Sequence, residues 1–214
     1  MQQRDRTLEG QGRGRGRWVR AGGLISALVV LLLVATGVGT ASAATLVSDD
    51  FEDGNAAGWV TTGGTWIVAR ETSRVLHQSS FAANALARTG SGSWRDYAVT
   101  ADIRPTSFNG LPGFVGVVAR ASSTGNFYAL VLRPDGTVAL TRTVGGTATT
   151  LAAASLAVSA GSTYRASVRV AGQRLTGSVG GVTVTASDGF LQAGPGGLVT
   201  TWATASFDNV TIGT

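Results

Sequence analysis

GFVGVVARASSTGNFYALVLRPDGTVALTRTV, Gly113–Val144, reads as three strands and the turns between them. Read for period two, its β-branched runs at Gly113–Ala121, Phe127–Arg133 and Val138–Val144 are strands. Between the last two, Pro134-Asp135-Gly136 puts Pro at a turn's second position and Gly where φ must become positive. On either side the same period-two reading gives Leu46–Phe51, Thr65–Ala69, Arg74–Gln78, Asn84–Ala87, Tyr97–Pro105, Tyr164–Ala171, Arg174–Val179, Val182–Ser187, Gly197–Thr201 and Ala205–Ile212. Gly145-Gly146 and Gly180-Gly181 join neighbouring runs as tight hairpins. Only Thr150–Ala160 has helical composition, and its Ala content serves a strand and loop equally well. So many strands leave a sandwich or a barrel, and the expectation is an all-β, two-sheet antiparallel β-sandwich.

The front of the chain is different. Met1–Arg20 is polar and Arg-rich, AGGLISALVVLLLVATGVG follows, and Thr40-Ala41-Ser42-Ala43 closes the segment. Positive, apolar and small-residue regions in that order describe a secretory signal peptide over residues 1–43, cleaved before Ala44. The competing reading is an uncleaved anchor, because the apolar run approaches bilayer-spanning length. A secreted domain of residues 44–214, with no stable anchor after cleavage, is the expectation.

The basic balance of the whole chain, +5, belongs mainly to that leader. Residues 1–43 hold six Arg against two acids, so 44–214 carry eleven Arg against ten acids, about neutral. A nucleic-acid footprint therefore has little support. No Cys excludes disulfides and thiolate metal sites, and a single His, His77, excludes any site needing two His ligands. No Lys excludes Walker-A phosphate binding and Schiff-base chemistry.

Several segments, taken in order, resemble concanavalin A-like or laminin G-like jelly-roll domains of secreted bacterial proteins. SDDFEDGNAAGWVTTGGTWIV is similar to their opening, SWRDYAVTADIRP to a central strand, and GFVGVVARASSTGNFYALVLRPDGTVAL to paired strands. YRASVRVAGQRLTGSVGGVTV and ASFDNVTI look like a late hairpin and the last strand. Related domains accompany pectate lyases, or are described as carbohydrate-binding-module-like or 3-keto-disaccharide hydrolase-like. The resemblance implies ligands met on a concave sheet face or at loop edges. Fold alone does not fix function.

Candidate chemistry is sparse. Asp49, Asp50, Glu52 and Asp53 crowd the first strand and Asp208 sits in the last. Terminal strands of a sandwich are often neighbours, and converging carboxylates need a cation. A structural Ca²⁺ held by Asp50, Glu52 and Asp208 is one expectation, supported by calcium sites in resembling domains. Solvated loop charge is the other. Neither the laminarinase-type E-x-D-x-E pattern nor the alginate-lyase Y-x-K-x-G-x-Y signature occurs. Asp135 and Asp188 belong to turns, and Asp102 with Arg104 reads as a strand-surface ion pair. The alternation in VLHQ sets His77 opposite Leu76 and Gln78, partly packed or on the surface.

Binding needs less machinery than catalysis. Arg120 and Arg133 each end a paired strand, where an Arg fork recognises carboxylates or hydroxyl pairs. Asn126, Tyr128 and Trp94 add hydrogen bonds and a stacking platform. The alternatives are that Arg120 pairs within the sheet and Tyr128 lies in the core. The four Trp of residues 44–214, at 59, 66, 94 and 202, read first as core or rim packing. The leading functional expectation is a monomeric, non-catalytic domain that binds polysaccharide. A small glycan hydrolase or lyase, and a structural or adhesive exoprotein, are the alternatives.

Overall fold

The computed structural model describes residues 44–214, so the expected signal peptide, residues 1–43, lies outside the described residues. Among them are fifteen strands: β1 (Thr45–Asp49), β2 (Val60–Thr62), β3 (Trp66–Arg70), β4 (Arg74–Gln78), β5 (Ala85–Thr89), β6 (Tyr97–Phe108), β7 (Phe114–Ser123), β8 (Asn126–Leu132), β9 (Thr137–Val144), β10 (Thr147–Ser155), β11 (Tyr164–Ala171), β12 (Arg174–Val179), β13 (Val182–Ser187), β14 (Gly196–Thr201) and β15 (Ala203–Gly213). An eight-stranded sheet runs β13-β12-β11-β6-β15-β4-β3 with β1 also paired to β15. A seven-stranded sheet runs β10-β9-β8-β7-β14-β5-β2. The two antiparallel layers form the expected β-sandwich.

Alternation builds the eight-stranded layer. Along β6, Val99, Ala101 and Ile103 are buried, while Thr100, Asp102 and Arg104 between them are half-exposed. Phe207, Val210 and Ile212 of β15 and Val168 and Val170 of β11 add to the same inner face. From the opposing sheet come Val115, Val117, Leu130, Leu132 and Leu140. Gly177 makes the close approach possible, since a Cβ there would lie 2.4 Å from Leu130 Cδ1.

The middle of the seven-stranded sheet is buried on both faces, which explains why β7, β8 and β9 read as continuous apolar runs rather than clean alternations. Its face away from the core carries a second apolar cluster with Leu86, Phe114, Val118, Phe127, Val131 and Val199.

The first and last of the described strands do lie side by side. Ser48 pairs with Thr211 and Asp49 with Val210, while β4 takes the earlier part of the same β15 edge through Phe207 and Leu76. Two strands were not anticipated. β2 is three exposed residues without periodicity, and β10 covers much of the Ala-rich segment whose composition suits a helix. Hairpin pairing with β9 through Gly145-Gly146 overrides that propensity, with a bulge between Thr150 and Ala152.

Leu130→Ala removes a fully buried side chain from the tightest part of the sandwich. It is expected to lower stability by about 2–5 kcal/mol in a urea titration, with the slope of the transition unchanged.

Candidate functional site

The five residues expected to meet ligand are placed mostly in structural roles. Arg120 lies within the bulge that shifts the β7–β8 register between Ala119 and Ser123, and it adopts φ 50°. That turn sends its side chain inward, where only 2% is exposed. Nε donates to the Arg95 carbonyl (2.8 Å), Nη1 to the Leu191 carbonyl (3.0 Å) and Nη2 to Asp96 (3.2 Å). Its fork is thus engaged by the protein itself, partly as the ion-pair alternative holds.

Tyr128 is buried beside it, and its hydroxyl accepts from Leu191 N–H and donates to Asp188. Trp94 packs edge-to-face on Tyr97 at 5.8 Å, and Tyr97 in turn accepts from Arg120 N–H. Gly90, at φ 100°, leaves the room this indole needs, since a Cβ there would sit 2.0 Å from the Trp94 ring. Trp94, Arg120 and Tyr128 therefore belong to one internal node. Asn126 accepts from Gly145 N–H at 2.8 Å and shapes a turn, and Arg133 reaches Thr150 at 3.3 Å.

Asp188 does more than turn the chain. It bonds Tyr128, Phe190 N–H and Arg142, and Arg142 also lies 5.1 Å from the centre of the exposed Phe190 ring. Burial pushes the Asp188 carboxyl up, but the bonds from Tyr128 and Phe190 and the Arg142 cation outweigh it and hold it below the usual carboxylate range. Tyr128 is raised to about 12, by burial first and then by the Asp188 bond.

The acids expected around calcium are not assembled as a ligand set. Asp50 accepts from Glu52 N–H, Glu52 from Arg74 N–H, and Asp208 from Ser73 and Asn209. Among the described residues no group of three or more His, Asp or Glu converges in a way that suits a metal. The Asp102–Arg104 pairing also needs correcting. The two share a face of β6, but Asp102 pairs across strands with Arg165 (3.2 Å) and Arg104 with Glu71.

That outer face holds a shallow cleft of about 180 Å³ bearing Glu71, Arg104 and Ser206. Ser206 Oγ donates to Glu71 at 2.6 Å and lies 2.9 Å from His77 Nδ1. The serine thus stands between acid and imidazole, whereas nucleophilic activation needs the imidazole between serine and acid. Burial raises the Glu71 carboxyl, and its bonds from Ser206 and Arg104 lower it further than that. This is a self-satisfied surface network.

A groove of about 300 Å³ on the outer face of the seven-stranded sheet has the opposite character. Phe114 of β7 and Phe127 of β8 contribute its apolar wall, and Asn84, Thr143, Thr201 and Trp202 also line it. Trp202 joins β14 to β15 at φ 46°, a conformation that large side chains seldom adopt. Its N–H donates to the Ala82 carbonyl and its carbonyl accepts from Asn109 N–H, both at 2.8 Å. Gly113 lets the loop close, because a Cβ would come within 2.9 Å of the Trp202 carbonyl.

So pinned, Trp202 keeps 38% of its surface exposed, with Leu111 nearby in sequence to the lining Pro112 at 64%. Exposed apolar surface gathered at a groove marks an interaction site. Asn84 Nδ2 is committed to the Thr124 carbonyl at 2.8 Å, which leaves Oδ1 as a buried acceptor without a partner among the described residues. Thr143 Oγ1 is likewise buried and unpartnered.

No family model matches the sequence. An extracellular exo-alpha-L-arabinofuranosidase of Streptomyces chartreusis is 32% identical over 164 residues. The match covers 72% of this chain but spans only 19% of that protein's length. Among solved structures, the carbohydrate binding module CBM66 from Bacillus subtilis superposes with TM-score 0.66 at 23% identity, covering 75% of this chain and 98% of that one. Domain 4 of AbnA, a GH43 extracellular arabinanase from Geobacillus stearothermophilus solved in complex with arabinotriose, gives 0.56 at 14% identity, covering 80% and 92%. A Bacillus subtilis protein of unknown function with a galectin-like fold gives 0.59 at 14%, covering 79% and 95%. These structural likenesses show a shared β-sandwich fold.

The depressed Asp188 carboxyl has a consequence in acid. A folded-state value below the unfolded one contributes stability that is present above about pH 4 and disappears as pH falls through the folded value. Melting temperature followed from pH 6 to pH 2 should decline over that window. Asp188→Asn should lower it near neutrality and flatten the decline, and a parallel profile would exclude Asp188 as its source.

Proposed function

We propose that this is a secreted polysaccharide-binding module of the concanavalin A-like type, using the groove at Trp202 as its binding surface. The observation that carries this reading is the groove itself. An indole is held open at its mouth by backbone bonds from two loops, above two Phe. An aromatic face matches the apolar face of a sugar ring, and uncharged polar side chains of the lining such as Thr201 match its hydroxyls. Concave, mostly apolar surfaces with a few convergent polar groups are the usual form of small-ligand sites.

The similar proteins support the same reading: an arabinofuranosidase, a carbohydrate binding module and an arabinanase domain carrying arabinotriose. Secretion follows from the leader reading of residues 1–43 and accords with the extracellular relative. Glycan hydrolysis gains less support, because it needs two carboxylates facing the substrate and the groove lining includes none.

Affinity electrophoresis of the protein in gels containing a panel of plant and microbial polysaccharides tests the proposal. At least one glycan should retard wild-type protein, and Trp202→Ala should weaken that retardation about tenfold through loss of stacking. Retardation by none, or release of reducing ends by the purified protein, would count against a non-catalytic binding module.

A further inference from the structure

We infer that the groove selects a neutral glycan and rejects uronate-bearing polymers, an assignment that rests on the polysaccharide-binding reading above. The lining contains no Arg, His, Asp or Glu. Its polar contributions come from Asn84, Thr143 and Thr201 and its apolar ones chiefly from Phe114, Phe127 and Trp202.

The hydrogen-bonding inventory is neutral as well. Asn84 and Thr201 bring an amide and a hydroxyl to the lining, groups that carry no charge. A carboxylate entering the groove would be desolvated against two Phe and a Trp without a cation.

Nor do the guanidiniums elsewhere supply the missing charge. Arg120 is spent on two carbonyls and Asp96, Arg142 on Asp188, Arg104 on Glu71 and Arg165 on Asp102. The remaining Arg do not line the groove either.

Titration of the full-length mature protein with arabinan and galactan, both neutral, and with polygalacturonate tests the inference. Expected is affinity for a neutral polymer at least about tenfold above that for polygalacturonate, changing by less than about twofold between 50 and 500 mM NaCl because no ion pair is made. Trp202→Ala should weaken it about tenfold through loss of stacking. Salt-sensitive preference for polygalacturonate would overturn neutral selection and leave the polysaccharide-binding reading standing. Neutral binding untouched by Trp202→Ala would overturn the groove as its seat. Binding to none of the three would overturn both.

Discussion

β15 is the strand on which the eight-stranded sheet depends. One of its edges pairs with β6 along nearly its whole length, and the other is shared by β4 and then β1. The bulge between Asp208 and Thr211, with Asn209 at φ 49°, falls where the partner strand changes. A long strand carrying two partners on one edge must bend, and a bulge supplies that bend. Through Phe207, Val210 and Ile212 the same strand fills the core, so the last residues of the chain complete the sheet and the hydrophobic interior together.

Polar ties reinforce the apolar contact between the layers. Gln78 of β4 is fully buried and donates to Thr200 of β14 at 2.5 Å and to the Ala203 carbonyl at 3.1 Å. Tyr97 of β6 accepts from Arg120 N–H of β7 at 2.6 Å and donates to the Gly194 carbonyl at 2.8 Å. Buried groups with such partners avoid the desolvation cost that unpaired ones carry, and they fix how the layers register. The residues that look most like ligand-binding equipment in the sequence, an Arg and a Tyr on paired strands, are consumed in this way.

The two outer faces have consequently separated in chemistry. The face of the eight-stranded sheet bears Glu71, Arg104, Asp102 and Arg165 in mutual pairs, which in water contribute little each and leave few groups free for a ligand. Around Trp202 the opposite face bears aromatics and uncharged polar side chains. Binding there, as proposed, would rest on shape, stacking and hydroxyl bonding.

Much of the architecture was legible from residue order. Arg74–Gln78, Tyr164–Ala171, Arg174–Val179 and Val182–Ser187 are strands with the bounds their alternation indicates, because period two and glycine turns are local properties. β10 was not legible, since an Ala-rich edge strand owes its form to its neighbour. Asp135 could be assigned to its own turn, whereas Asp188 acquires its partners from β8 and β9. Sequence by itself determined the layered β architecture and the scarcity of catalytic side chains. Only the tertiary structure decided that Arg120 turns inward and that Asn84, Phe114, Phe127, Thr143 and Trp202 meet. Those residues come from separate segments whose register across five strands brings them together, and no local pattern encodes a cross-strand distance.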